Sequence, residues 1–323
     1  KLEMDPILRG KIINNLNLRT VEEFERCLEL QVKAGVDYPA LPQLEDFCEI
    51  FLRDIAERGK GLKREEARYV LIEPIEPPKE PSIINDVSLA ISTLKRLSSD
   101  VKLKVQVTGP FTLSSLVKFL DKTAMSYPDV VESFSDAIAY ILAAACSFDE
   151  VEVAFVDEPM TYYALWSGYD ENFVVNVINR ALKGVGNAVE KGIHICGDAR
   201  GLSRVTLRLN VEVVHHEVVG MPKNLDAYNA DDVIKAGKLL GVGVVASKPL
   251  DSEVNVEGED YVLSLMRKAA EKFHGKVVFA PDCGFRGLME VTSFEDAFKT
   301  TYLKIKAMSD VAKKIRRELK LDY

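Results

Sequence analysis

Cysteine is sparse in this 323-residue chain and falls in no pattern of pairs: the five stand at 27, 48, 146, 196 and 283. An odd, scattered set in a chain long enough to bury a large core is not a disulfide framework. Positive charge is also short, with 42 Lys and Arg against 50 Asp and Glu and a formal net charge of −8. That balance argues against the long basic groove of a nucleic-acid binder, and no nucleic-acid partner is expected. No apolar run reaches the roughly 18 residues of a membrane span. Lys1 to Gly10 has no apolar leader with a small-residue cleavage site, so a cytoplasmic protein without a membrane partner is expected. No Gly/Ser tract and no internal repeat divides the chain. The expectation is one domain over 1–323, with a helical extension at its N-terminus.

What is present is a regular alternation. Short β-branched, apolar runs bounded by Gly, Pro or Asp occur at 36–41, 69–73, 102–108, 151–157, 192–196, 211–218, 243–247 and 276–280. Helical segments lie between them at 87–97, 129–146, 172–191, 230–240 and 259–273, and an amphipathic helix at 20–33 precedes the first run. Near-continuous apolar strands suit a parallel sheet covered on both faces. Eight strand–helix units predict an α/β fold, a single (β/α)8 TIM-type barrel. Pro39 and Pro42 make the first run the weakest strand. The Pro-rich stretch 73–81 reads as a long loop.

In such a barrel the chemistry gathers where strands end. The ends here read Gln106-Val-Thr-Gly-Pro110, Val156-Asp-Glu-Pro159, His194-Ile-Cys-Gly-Asp198, His215-His-Glu217, Ser247-Lys-Pro249 and Pro281-Asp-Cys-Gly284. His194 and Cys196 are two apart on one strand, so both project from the same face. Glu217 and Cys283 could complete four ligands. Imidazole, thiolate and carboxylate together suit zinc, and two thiolates disfavour magnesium and calcium. His215 shares a face with Glu217, so either could ligate while the other supports it, and His216 points to the opposite face. Asp157 is placed to hold a cationic group of a ligand. Glu158 reads either as a second site carboxylate or as a helix cap. Lys248 and Arg286 divide evenly between site and rim. Cys27, Cys48 and Cys146 read as inert core thiols.

The combination His194-x-Cys196, Glu217, Pro281-Asp-Cys-Gly284, Val156-Asp-Glu-Pro159 and Thr108-Gly-Pro110 resembles the cobalamin-independent methionine synthase family over about two-thirds of the chain. The resemblance implies a (β/α)8 barrel and zinc held by His194, Cys196, Glu217 and Cys283. It also implies a homocysteine ammonium on Asp157, with Glu158 as the further catalytic carboxylate of the motif. Gln106, Thr108, and Gln43 or Glu45 are the further substrate-binding candidates. Where the family carries a G-S-F-P-like segment this chain reads Ile7-Leu-Arg-Gly10, and Phe111-Thr-Leu-Ser-Ser-Leu116 lacks the family's Trp. The implied activity is zinc-dependent methyl transfer to a thiol, most simply homocysteine, from methyl-folate or a methylated corrinoid (protein). Transfer to another thiol such as coenzyme M, a metal-free lyase of the related decarboxylase barrels and a structural zinc barrel are the rival readings.

Overall fold

The computed structural model describes residues 18–66, 68–249 and 255–318. The segment Ile7-Leu-Arg-Gly10 lies outside them. The described residues divide into two compact units, one formed by those within 18–29 and 37–191 and one by those within 30–36 and 192–318.

The first unit receives most of the helix Leu18–Ala34, whose Val21, Phe24 and Leu28 recur on one buried face. Strands β3 (Leu103–Thr108) and β6 (Val151–Asp157) pair in parallel, with Gln106 opposite Phe155 and Thr108 opposite Asp157. Helices Ile83–Arg96 and Pro128–Ala145 bury apolar faces in the same unit.

Two expected strands turn out differently here. The run 36–41 forms only a single parallel bridge, Ala40 to Lys104. Pro39 and Pro42 have no N–H to donate, so a backbone ladder cannot extend. Side-chain amides continue it instead: Gln106 Nε2 donates to Leu41 O at 2.7 Å and Gln43 Nε2 donates to Gln106 O at 3.2 Å. The run 69–73 belongs to β2 (Arg68–Glu76), which lies in a separate small sheet. It pairs antiparallel with β1 (Lys60–Glu65) and parallel with β4 (Val117–Phe119), and β4 pairs with β5 (Lys122–Thr123). The highly charged β1 carries no apolar alternation, and its ladder is made with β2.

The second unit is built on four parallel strands in sequence order: β7 (Glu190–Ile195), β8 (Val213–His216), β9 (Leu239–Val245) and β10 (Val277–Pro281). Parallel neighbours need crossovers, and helical segments at Ser203–Thr206, Ala230–Lys235 and Glu259–Lys272 supply them. Expected helices at 172–191 and 230–240 are shorter in the structure, Glu171–Ala181 and Ala230–Lys235. Each starts on a side-chain cap: Asp170 accepts from Phe173 N at 3.0 Å, and Asn229 from Asp231 N at 2.8 Å. The long helix Phe294–Glu318 carries Lys304, buried to 2% exposure against Glu257 at 2.8 Å. Glu257 Oε1 also accepts from Ala246 N at 2.8 Å, which ties the end of β9 to that ion pair. Among the described residues no helix is long and apolar enough to cross a membrane.

Candidate metal centre

β7 places His194 next to its last residue and Cys196 just beyond it. Cys283 follows β10 by two residues. The three ligand atoms lie within 4.8 Å of one another. His194 Nε2 is 2.9 Å from Cys196 Sγ and 3.2 Å from Cys283 Sγ, and the sulfurs are 2.9 Å apart. The Cys196 thiol beside it, and then burial, hold the Cys283 thiol well above its ordinary range. Two adjacent thiols ionise together only if a cation offsets their repulsion. This donor set fits zinc, which takes imidazole nitrogen and thiolate sulfur.

Glu217 follows β8 directly but stands outside the converging three. Its Oε1 accepts from Gly197 N at 2.5 Å, one residue past Cys196. His215 faces His194 across the β7–β8 pair, with their Nδ1 atoms 2.6 Å apart. His216 turns the other way. Its Nδ1 donates to Ile195 O at 2.9 Å, and its Nε2 lies 2.7 Å from the Tyr228 hydroxyl. Burial lowers its pKa to about 4, so the ring is neutral, Nε2 accepts, and Tyr228 donates.

Three residues that support these loops escaped the sequence reading. Asp282 is 2% exposed and accepts from Val218 N, Val219 N and Gly220 N at 2.8, 3.1 and 2.7 Å. It thereby shapes the loop after Glu217 from the position next to Cys283. Asn224 joins the loops after β7 and β8, since its Nδ2 donates to Gly197 O and Glu217 O, both at 2.8 Å. Gly243 leaves room for Asp282: a β-carbon there would lie 2.1 Å from Asp282 Oδ1. Glycines inside an apolar strand, as in Gly241-Val-Gly243, signal such a close approach.

The remaining candidates lie in the first unit. Glu158 is fully buried and accepts from Phe111 N at 2.8 Å, Thr112 N at 2.9 Å and the Thr112 hydroxyl. Burial pushes its carboxyl up to about 7. Glu158 therefore caps the helix Pro110–Ser115 from a neighbouring strand end and joins the Thr108-Gly-Pro110 and Asp157-Glu-Pro159 segments. Asp157 ends β6 half-buried, and its carboxylate makes no hydrogen bond or ion pair among the described residues. Thr108 Oγ1 donates to Phe47 O at 2.6 Å, and Glu45 takes Arg53 in a two-pronged ion pair. Lys248 and Arg286 are exposed. Burial raises Cys27 and Cys146 to about 11 and Cys48 to about 12, which keeps all three protonated.

No protein-family model matches the chain. Among curated proteins it is similar to a methionine synthase of Methanocaldococcus jannaschii, 25% identical over 309 residues, 90% of this chain and 88% of that protein. A methionine synthase of Methanothermobacter marburgensis is 24% identical over 88% of each chain. Among solved structures, a B12-independent methionine synthase from Shewanella sp. W3-18-1 in complex with selenomethionine aligns with a TM-score of 0.69. It is 18% identical and covers 94% of this chain and 89% of that one. A methyltransferase from Methanosarcina mazei aligns with a TM-score of 0.60 at 13% identity, covering 94% and 90%. These structural likenesses establish the fold, an α/β chain with a parallel sheet of the TIM-barrel class.

Proposed function

We propose that the chain belongs to the archaeal form of the cobalamin-independent methionine synthase family and is a methyltransferase that forms methionine from homocysteine. The convergence of His194, Cys196 and Cys283 within 4.8 Å carries this reading. We read 1–323 as one cytoplasmic catalytic domain.

His194, Cys196 and Cys283 would hold zinc, with Glu217 as the fourth donor through the oxygen not taken by Gly197. Bound zinc stabilises the thiolate of a substrate thiol at neutral pH. The chain's own residues orient what reacts. Asp157 is the carboxylate we assign to the substrate ammonium, because Glu158 beside it is spent on the helix cap and Asp157 is not. In the transfer the thiol gives its proton to solvent water and sulfur forms a bond to the methyl carbon. The bond from that carbon to the donor breaks, and the donor keeps the electron pair. Gln106, Thr108 and Gln43 act indirectly, by tying the segment after the Ala40 bridge to β3. We assign no proton transfer to Glu158.

We propose methyl-folate or a methylated corrinoid as the methyl donor. Purified protein should carry about one zinc per chain. It should also convert homocysteine to methionine with one donor or the other in parallel assays, and coenzyme M should not replace homocysteine. Zinc-free protein after gentle purification, or zinc-loaded protein that methylates coenzyme M and leaves homocysteine untouched, would overturn the reading.

A further inference from the structure

We infer that His215 is a positioning residue for His194: its Nδ1 accepts the hydrogen on His194 Nδ1 and so holds the His194 ring with Nε2 turned to the two thiols. This rests on the zinc-centre reading above and goes beyond the residues that reading assigns as ligands. The two Nδ1 atoms are 2.6 Å apart and the ring centroids 4.7 Å. Two ring nitrogens approach so closely only with a hydrogen between them. The far side of His194 decides which ring owns it. Its Nε2 lies 2.9 and 3.2 Å from Cys196 and Cys283 Sγ. A neutral imidazole that offers the Nε2 lone pair to a metal carries its hydrogen on Nδ1. His194 therefore donates and His215 accepts.

The strands provide a seat for this ring. His194, His215 and Gly241 stand in register across β7, β8 and β9. A β-carbon at 241 would lie 2.7 Å from His215 Cβ and 2.8 Å from Cδ2, so the ring occupies the space a side chain would fill. Glycine weakens a strand interior unless something approaches it closely. Here the approaching group is the imidazole that faces the metal ligand. Both rings are buried, at 8% and 6% exposure. His216 supplies the contrast, since it is equally buried but engages Ile195 O and Tyr228 on the opposite face.

Metal-binding histidines are commonly oriented by an acceptor at their second nitrogen, and loss of that acceptor costs 10–100-fold in affinity. The test compares His215→Leu, which fills the seat without an acceptor, with His215→Asn, whose side-chain oxygen sits near the place of Nδ1. Zinc affinity is measured by chelator competition, and the visible spectrum of cobalt(II)-loaded protein reports ligand geometry. His215→Leu should lose about 10–100-fold in zinc affinity and shift the cobalt bands, while His215→Asn stays within roughly threefold of the parent. Equal affinity and unchanged cobalt bands in His215→Leu would overturn the inference, and so would an equal loss in both variants. Should His215→Leu not fold, Gly241→Ala crowds the ring without removing it and must weaken zinc binding; unchanged affinity there overturns the inference too. Parent protein that binds no zinc would remove the metal-centre reading itself, an outcome distinct from these.

Discussion

Glu158 fills the space that any side chain at Gly109 would need: a β-carbon there would lie 2.3 Å from Glu158 Oε2 and 2.7 Å from its carboxyl carbon. The glycine of one strand end and the carboxylate of the next are thus one joint, closed by the N–H groups of Phe111 and Thr112. A buried carboxylate held this way titrates visibly in the stability of the fold. Its folded value of about 7 lies above the ordinary 4.5. The native state therefore binds this proton more tightly than the unfolded chain. Stability from this group is fully present below about 4.5 and falls as pH rises to about 7, by up to about 3 kcal/mol. Glu158→Gln should remove that slope. Urea unfolding across this range would show it, and parallel pH profiles for parent and variant would refute it.

Gly243→Ala should destabilise the protein by about 1–3 kcal/mol, the cost of forcing a methylene into a packed site. The new β-carbon meets both the carboxylate and the backbone of Asp282, with Asp282 Cα at 2.8 Å. Because Asp282 holds Val218, Val219 and Gly220, amide exchange at those three positions should accelerate along with the lower melting temperature. A variant as stable as the parent would show that Asp282 can move without consequence.

Lys304→Met should cost about 3–5 kcal/mol, because it leaves the Glu257 carboxylate buried without its ammonium partner. Adding Glu257→Gln to that variant should recover part of the loss, since the amide oxygen can still accept from Ala246 N. Denaturant melts of the two single variants and the double variant measure the coupling. Strict additivity would mean the pair contributes nothing beyond its separate members.

Asp157→Asn should lower kcat/KM for homocysteine by about 2–5 kcal/mol, the range for removing one partner of a buried charge pair. Zinc content should stay at the parent level, and a thiol without an ammonium group should be used no worse than before. Kinetics with both thiols decide the matter. Equal losses for the two would assign Asp157 to the framework.

Several features were legible in the chain before any folding is considered. Six of the eight apolar runs, at 102–108, 151–157, 192–196, 211–218, 243–247 and 276–280, overlap β3 and β6 to β10. Burial on both faces demands continuous β-branched residues, and that demand is local and readable. The spacing of His194 and Cys196 was readable for a similar reason, since a strand's two-residue period needs no tertiary information. What only the tertiary structure decided involves partners remote in sequence. Pro39 and Pro42 reduced a strand to one bridge, and Gln43 and Gln106 carried its ladder onward. The charged segment Lys60–Glu65 makes its ladder with β2. Cys283 joined His194 across 89 positions, and His215 turned to His194 while its neighbour His216 turned to Tyr228. Strand period states which side chains share a face. Which of them meet depends on register between strands, and register is set by the packing of the whole sheet.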